Sequence, residues 1–519
     1  MCRISGIVYK NSGDFAFLSK MLQHQVSGGP DAFGTFIDGN VGLAHNRLSI
    51  LDHTTGSQPM IGDWFVLSFN GEIYNHLDIR AKLEPQLYKG HSDTETLLNA
   101  IEQKGINWTL EQAEGMFSFA AYDKYERKLY LVVDPYGIKP CFYYQDSEIF
   151  AFASSPGALS HVKDSWGFNY EALTDFLALG ATREPLFSGM KRLESGHILT
   201  LKTDNFEQKK ERWYFQKQHK TDPEDLISAV KQSILSTKLA DVPVHLFLSG
   251  GVDSSVVASQ LPGVGAVHLA SPEEGFARTV AKKYDNPFIK IDPRDYSAEG
   301  CLKDYAEKSG DCSGASIIPY IVSKEVSSIG KVAISANGAD ELFVGYDRIE
   351  KESTSQQMKH IFRYEIYKKS AWWGYKDSRE LELKTYVEYD LNKTLDFASM
   401  CHGLEVRVPY LNKSVVEKAL SLDWDTHTNR GFRPKAILKK FLLEEGFDLS
   451  FVTRQKLGFS LFYSPMGYDE LKEKGVDLLR DQFKIDPRFP LGSRDDKYFK
   501  ASAASFYAWF QVWNHKLLL

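Results

Sequence analysis

An apolar run at 244–248, VHLFL, leads into Ser249, Gly250, Gly251, Val252, Asp253, Ser254 and Ser255, and an apolar helical pattern follows. Glycines let the backbone turn tightly, and the free N–H groups of a helix start then face the turn as an anion site. Polyphosphate suits such a cradle. A GxxxxGK[ST] loop is excluded, because its lysine is absent. A second group, Ser335-Ala336-Asn337-Gly338-Ala339-Asp340-Glu341, also follows a strand pattern, KVAIS, and adjacent carboxylates there can hold a hard cation beside phosphate. Arg407, Lys435 and Lys456 supply the positive charge that a leaving pyrophosphate needs. At the front stands Cys2, which becomes N-terminal if Met1 is removed. It would then carry both a thiol nucleophile and an α-amine to act as its base, with ordinary pKa values of ~8.5 and ~7.7–8.0.

These residues need a framework to hold them. From about Leu226 helical patterns alternate with buried strand candidates at 244–248, 265–270 and 331–336, which predicts a parallel sheet covered on both faces, with ligands at the carboxyl ends of its strands. The first part of the chain reads differently. Short β-branched and aromatic runs between turn signals, among them VGLAHNRLSILD, WFVLSFNGEIY, GMFSFAAYD, KLYLVVDPYG and IFAFASS, predict antiparallel sheet. The polar stretch DNFEQKKERWYFQKQHKTDPED separates the two patterns, placing the boundary at 202–215 and the expected domains at 1–205 and 206–519. Two domains also follow from length, since single cores stop growing near ~250–300 residues. With 62 Lys+Arg against 68 Asp+Glu, the net charge of −6 argues against a nucleic-acid partner. No window approaches the ~18 apolar residues of a membrane span, and the start lacks the features of a signal peptide, so a cytoplasmic protein without a membrane partner is expected. Five cysteines without CxxC or Cys/His spacing indicate neither a disulfide framework nor a zinc site.

SGGVDSS, GADELFVGY, SMCHGLEVRVPYLN and RQKLGF follow one another as in the synthetase domain of glutamine-dependent asparagine synthetases, which the C-terminal half resembles. The N-terminal half is similar to a class II glutamine amidotransferase domain, through Cys2, HNRLSILD from His45, FNGEIYN from Phe69, SDTE from Ser92 and DPYGIKP from Asp134. The resemblance implies an N-terminal-nucleophile αββα sandwich of the α+β class, followed by an ATP-pyrophosphatase α/β domain of the adenine nucleotide α-hydrolase-like type. It implies catalytic roles for Cys2, Asn70 and Gly71, the last two as an oxyanion hole, and for Lys456 at the pyrophosphate. Glutamine would be held by Arg47 at its α-carboxylate and Asp93 at its α-amino group, with Ile50, Asn70 and Glu72 alongside. ATP would meet Leu248, Ser249, Gly250, Gly251, Asp253, Ser254, Ser255, Ala336, Asn337, Gly338 and Lys435, and Mg²⁺ would be bound by Asp253 and Asp340. The implied small molecules are glutamine, ATP and a carboxylate acceptor, and the resemblance leaves room for a homodimer.

Several positions depart from the family pattern. Cys-Gly-Ile is Cys2-Arg3-Ile4, the Arg of Arg-Gly-Pro-Asp is Gly28, Ala-Ser-Glu ends in Ser155, and the Arg before Asp134 is Val133. In the second half the acid of Ser-Gly-(Asp/Glu)-Gly is Asn337, the Arg of Asp-Arg-x-Ser-Met is Phe397, and the Asp closing Pro-Phe-Leu-Asp is Asn412. The expected activity is glutamine hydrolysis coupled to amidation of an acyl-adenylate, with aspartate as the default acceptor. A uronic acid or natural-product carboxylate, or an intramolecular ligation like that of the β-lactam synthetases, is the alternative. A lone N-terminal-nucleophile hydrolase leaves SGGVDSS unexplained, and a tRNA-modifying pyrophosphatase-loop enzyme lacks a basic platform here.

Overall fold

Adjacent residues of the first-half strands send their side chains into different cores. Ile4 and Val8 enter one cluster with Val41, Leu43, Val66, Leu129 and Leu131, while Ile7 and Tyr9 turn the other way onto Leu18 and Met21 of the helix Ala16–His24. Val66 likewise points inward, and Leu67 and Phe69 point outward onto Leu97, Leu98 and Ile101 of the helix Asp93–Lys104. Strands covered on both faces read as continuous apolar runs, which is why these segments show no polar alternation. The computed structural model describes residues 2–11, 13–85, 88–180, 182–346, 377–428, 434–455, 463–485 and 496–518.

The result is two six-stranded antiparallel sheets face to face, with helices on the outside, as expected. One runs Lys191–Arg192, Phe142–Gln145, Ile149–Ala153, Arg3–Tyr9, Val41–Arg47, Ala32–Asp38. The other runs Gln208–Arg212, His197–Lys202, Lys128–Val133, Gly115–Asp123, Phe65–Ile73, Met60–Ile61. Its outermost strand lies beyond residue 205, so this sheet continues through Arg212.

The second half contains a five-stranded parallel sheet in the order Phe288–Ile291, Gly265–Leu269, Val244–Phe247, Val332–Ile334, Glu405–Arg407. Chain order reverses between Val244–Phe247 and Val332–Ile334, the switch point outside which open α/β sheets hold ligands. Both motifs singled out for phosphate chemistry leave from these two strands. Phe288–Ile291 and Glu405–Arg407 were not expected as strands, the latter because its charged ends disguise a buried segment.

Among the contacts that join the halves, two are built on buried charge. A continuous helical segment, 378–400, lies along the first half, and its stretch Leu383–Asn392 is π-helical. Every fourth residue from Lys384 reaches across: Lys384 donates to Pro135 O (3.1 Å) and Ser195 Oγ (3.0 Å), and Glu388 accepts from Ser195 N and Oγ (2.9 and 2.6 Å). Asn392 donates to Tyr136 O (3.0 Å), and Asp396 accepts from Arg3 (2.7 Å) and Lys139 (3.0 Å). On an α-helix a four-residue spacing drifts by about 40° per step. The looser i→i+5 winding offsets that drift and keeps the stripe facing one neighbour.

Arg407 is the other join. Fully buried, it donates to Glu405 (2.6 Å), to Glu72 of the first half (3.1 Å) and to the carbonyls of Thr237 (2.7 Å) and Leu239 (2.6 Å). Replacing it by alanine removes the guanidinium shared by two buried carboxylates, an expected loss of about 3–5 kcal/mol. Urea unfolding at a midpoint equal to the parent's would refute the bridge.

Candidate active site

Cys2 stands immediately before the strand Arg3–Tyr9, half-buried, with Sγ 3.9 Å from the carbonyl of Leu48. Strand register pairs Arg3 with Asn46, so the thiol lies beside the end of Val41–Arg47. Burial pushes the Cys2 thiol up to about 11, which leaves it protonated at neutral pH and dependent on a base. Arg47 is buried and donates to the carbonyls of Leu51 (3.2 Å), Asp52 and His53 (3.5 Å). These are neutral acceptors, and among the described residues no carboxylate pairs with Arg47. The loop it gathers is pinned by Asp52, whose carboxylate accepts from Thr55 N (2.9 Å), His91 N (2.9 Å) and Ser92 N (3.2 Å).

Asn70 is fully buried, and neither atom of its side-chain amide has a hydrogen-bond partner among the described residues. An unpaired buried amide costs about 1–3 kcal/mol unless a ligand satisfies it. It sits next to Gly71 on the strand Phe65–Ile73, the expected oxyanion pair. Asp93, at the start of the helix Asp93–Lys104, accepts from Ile73 N (2.9 Å) and Thr94 N (2.7 Å). Burial raises it to about 6 despite those bonds, with Glu405 adding to the rise. Glu72 and Ile50 face the second half rather than each other. Glu72 gives one oxygen to Arg407, and Ile50 packs with Leu48 and Val332 while its carbonyl accepts from Asp241 N (2.9 Å).

At the switch point the loop after Val244–Phe247 is closed by its own serines. Ser249 Oγ bonds Ser254 Oγ (3.0 Å) and accepts from Gly251 N (3.2 Å), and Ser255 Oγ donates to Gly251 O (2.7 Å). Gly250 has φ +86°, and a Cβ there would fall 2.7 Å from Ala277 N, so only glycine fits. Leu248 gives its carbonyl to His268 Nδ1 (2.8 Å). The helix Val252–Ser259 starts immediately and brings Asp253 into its first turn. Across the switch point Ala336, Asn337 and Gly338 lead into Asp340, and Asn337 Oδ1 accepts from Ser335 Oγ (2.9 Å). Lys435 joins the two motifs, because its buried ammonium pairs with Asp253 and, at 2.5 Å, with Asp340.

Two carboxylates meeting at one point are hard donors of the kind that suit Mg²⁺ with phosphate and water completing its shell. Among the described residues no group of three His, Cys, Asp or Glu forms a metal cage. Lys456 lies outside the described residues. Arg407 does not serve the pyrophosphate as expected: it is buried between the halves, because Glu405 and Glu72 draw it there. Sequence reasoning missed Arg454, which opens the RQKLGF segment, donates to Gly250 O (2.7 Å) and pairs with Glu273 (2.5 Å), so it holds the loop from outside. Tyr410, whose OH donates to Asp253 O (3.0 Å), was also missed. Asn412 works as the N-cap of Lys413–Ser421, and Val133 fills a core position.

An N-terminal-nucleophile sandwich joined to a parallel sheet with a pyrophosphate-type loop at its switch point defines a glutamine-hydrolysing ligase. Residues 1–214 match the family model of the glutamine amidotransferase domain, and residues 225–516 match that of asparagine synthase. The chain belongs to the asparagine synthase family. It is 27% identical to asparagine synthetase [glutamine-hydrolyzing] 1 of Bacillus subtilis, over 88% of this chain and 87% of that one. It is 27% identical to asparagine synthetase B of Escherichia coli, over 91% and 83%, and 29% identical to a putative asparagine synthetase of Methanocaldococcus jannaschii, over 81% and 80%.

A chain that keeps Met1 should alkylate slowly at Cys2 near pH 7.5. The rate should climb about tenfold per pH unit toward pH 11, since only the thiolate reacts. Mass spectrometry of iodoacetamide adducts measures this, and a rate already flat above pH 8 would contradict the buried thiol.

Proposed function

We propose that Cys2, once N-terminal, hydrolyses glutamine and that the ammonia amidates a carboxylate activated by ATP in the second half, with aspartate as the default acceptor. The thiol adds to the glutamine carboxamide carbon after giving its proton to the Cys2 α-amine. The oxyanion that forms is met by the Asn70 amide and Gly71 N–H. The α-ammonium passes that proton to the amide nitrogen, ammonia leaves, and water releases glutamate from the thioester. Arg47 and Asp93 orient glutamine through its α-carboxylate and α-ammonium. In the second half a carboxylate oxygen of the acceptor displaces pyrophosphate from the α-phosphorus, and ammonia then displaces AMP from the acyl carbon.

Asp253 and Asp340 would hold Mg²⁺, which when bound neutralises phosphate charge. Lys435, already between them, supplies a fixed positive charge, and Lys456 takes the pyrophosphate role by resemblance. The observation that carries the reading is the meeting of Asp253 and Asp340 on Lys435, outside the two strands that flank the switch point. The ammonia step is supported by Asn70, whose buried amide awaits a partner.

Asn337 bears on the acceptor. A neutral amide hydrogen-bonded to Ser335 offers no full negative charge to an α-ammonium group. This favours a second reading in which the acceptor lacks that group.

Cys2→Ala should abolish glutamine-dependent AMP release and leave the ammonium-dependent reaction intact. Loss of both in folded protein would overturn the division of labour.

Asp253→Asn should lower adenylation by about 10²–10³, with glutaminase turnover still measurable. Pyrophosphate release with a panel of carboxylates reads both this loss and the acceptor. Turnover of aspartate at ~1–10³ s⁻¹ by the parent would settle the acceptor as aspartate and discard the second reading.

A further inference from the structure

Four of the departures from the family pattern, Arg3, Gly28, Ser155 and Phe397, meet at one point between the halves. Arg3, directly after the nucleophile, is buried and donates to Asp396 of the helical segment 378–400 at 2.7 Å. Its guanidinium lies over the ring of Phe397, 5.8 Å from the centroid, and Phe397 in turn stacks on Phe142 at 6.0 Å. Gly28 lies against the stem of Arg3, where a Cβ would fall 2.8 Å from Arg3 Cγ and 3.0 Å from Nε. Together with Ser155 and Met400 these residues line a cavity of about 10 Å³, room for one water at most.

The substitutions read as one exchange. The family pattern has glycine after the nucleophile and arginine after Asp396, whereas this chain has Arg3 and Phe397. In this chain the guanidinium beside Asp396 comes from the sandwich side of the interface. Space for it exists because residue 28 is glycine, and Phe397 provides a flat apolar face for it. Lys139 already pairs with Asp396 at 3.0 Å, so Arg3 is a second cation on a carboxylate that is not short of one. Neutralising Asp396 does not require it. What it adds is a tether between the residue adjoining Cys2 and the element that carries the docking stripe.

We propose that Arg3 is a positioning residue, tying the Cys2 strand to Asp396 so that glutamine hydrolysis stays coupled to synthesis in the second half. The inference rests on the function proposed above. It also requires the arginine at 3 and the aromatic residue at 397 to act as a pair. Arg3→Gly should then cost glutamine-dependent amide formation about tenfold to a hundredfold, the scale of a small misplacement at a reacting centre. Glutamate should form in excess of AMP, while the ammonium-dependent reaction stays close to the parent's.

The test measures glutamate and AMP together for the parent, Arg3→Gly, Phe397→Arg, the double exchange, Arg3→Lys and Gly28→Ala. Restored coupling in the double exchange, with uncoupling in each single variant, is the expected result, and a merely structural residue would not produce it. Gly28→Ala, which pushes on Arg3 without removing it, should uncouple more mildly, and Arg3→Lys should retain part of the coupling. A glutamate-to-AMP ratio equal to the parent's in both Arg3→Gly and Gly28→Ala overturns the inference and leaves the proposed function standing. If Arg3→Gly fails to fold, the Gly28→Ala ratio decides alone. A parent that forms no glutamate overturns the function, and this inference with it.

Discussion

The buried guanidinium of Arg407 is the interaction on which the arrangement of the two halves depends. It lies at the edge of the parallel sheet, yet it draws in a carboxylate from the sandwich, one from its own strand, and two carbonyls from the turn after the helix Pro223–Ser236. A cation taken out of water must be surrounded by acceptors, so each group it gathers is held in place by the penalty of leaving it unpaired. Glu72 is two residues from Asn70 on the same strand, and Ser335 N–H bonds the carbonyl of Arg407 itself at 2.8 Å. One residue thus links the strand of the candidate oxyanion hole, through its side chain, to the strand end that leads to Asp340, through its carbonyl.

The helical segment 378–400 makes the same join by different means. Arg407 uses one strong charge, whereas the segment spreads its contacts along Lys384, Glu388, Asn392 and Asp396 and relies on a change of helical winding to keep them in line. The two devices grip opposite parts of the sandwich. Arg407 holds the sheet that contains Phe65–Ile73, and Asp396 holds the sheet that begins at Arg3. Relative motion of the halves would have to break both.

At the switch point, rigidity comes from short-range bonds. The loop Ser249–Ser255 is cross-linked by its own hydroxyls, and Arg454 clamps it from outside through Gly250 O. A loop preorganised in this way loses little entropy when it receives an anion. Lys435, in a left-handed conformation at φ +64°, brings its ammonium to both aspartates, so the acidic pair is balanced before any ligand arrives.

The two-part architecture, the pyrophosphate-type loop and the families of both halves were legible in the sequence. Each depends on residues that are contiguous or regularly spaced: a strand running into Ser249–Ser255, apolar runs between turns, Cys2 followed by its ordered motifs. Local patterns of that kind specify local geometry wherever the chain places them. Destinations were not legible. Arg407 looked like a pyrophosphate ligand because an arginine's charge is visible in a sequence and its partners are not: Glu72, Glu405 and the carbonyls of Thr237 and Leu239 lie on three separate stretches of chain. Ile50 and Glu72 read as glutamine contacts, and nothing in their local spacing shows that the Ile50 carbonyl and one Glu72 oxygen are engaged by the second half. Arg3, Gly28 and Phe397 are three unrelated departures in one dimension and a single contact in three. The sequence by itself determined which chemical groups are present and which turns present them. Only the tertiary structure decided which charges meet, because a buried ion pair is set by the packing of distant segments that exclude water around it, and nothing in the local spacing of either partner encodes that.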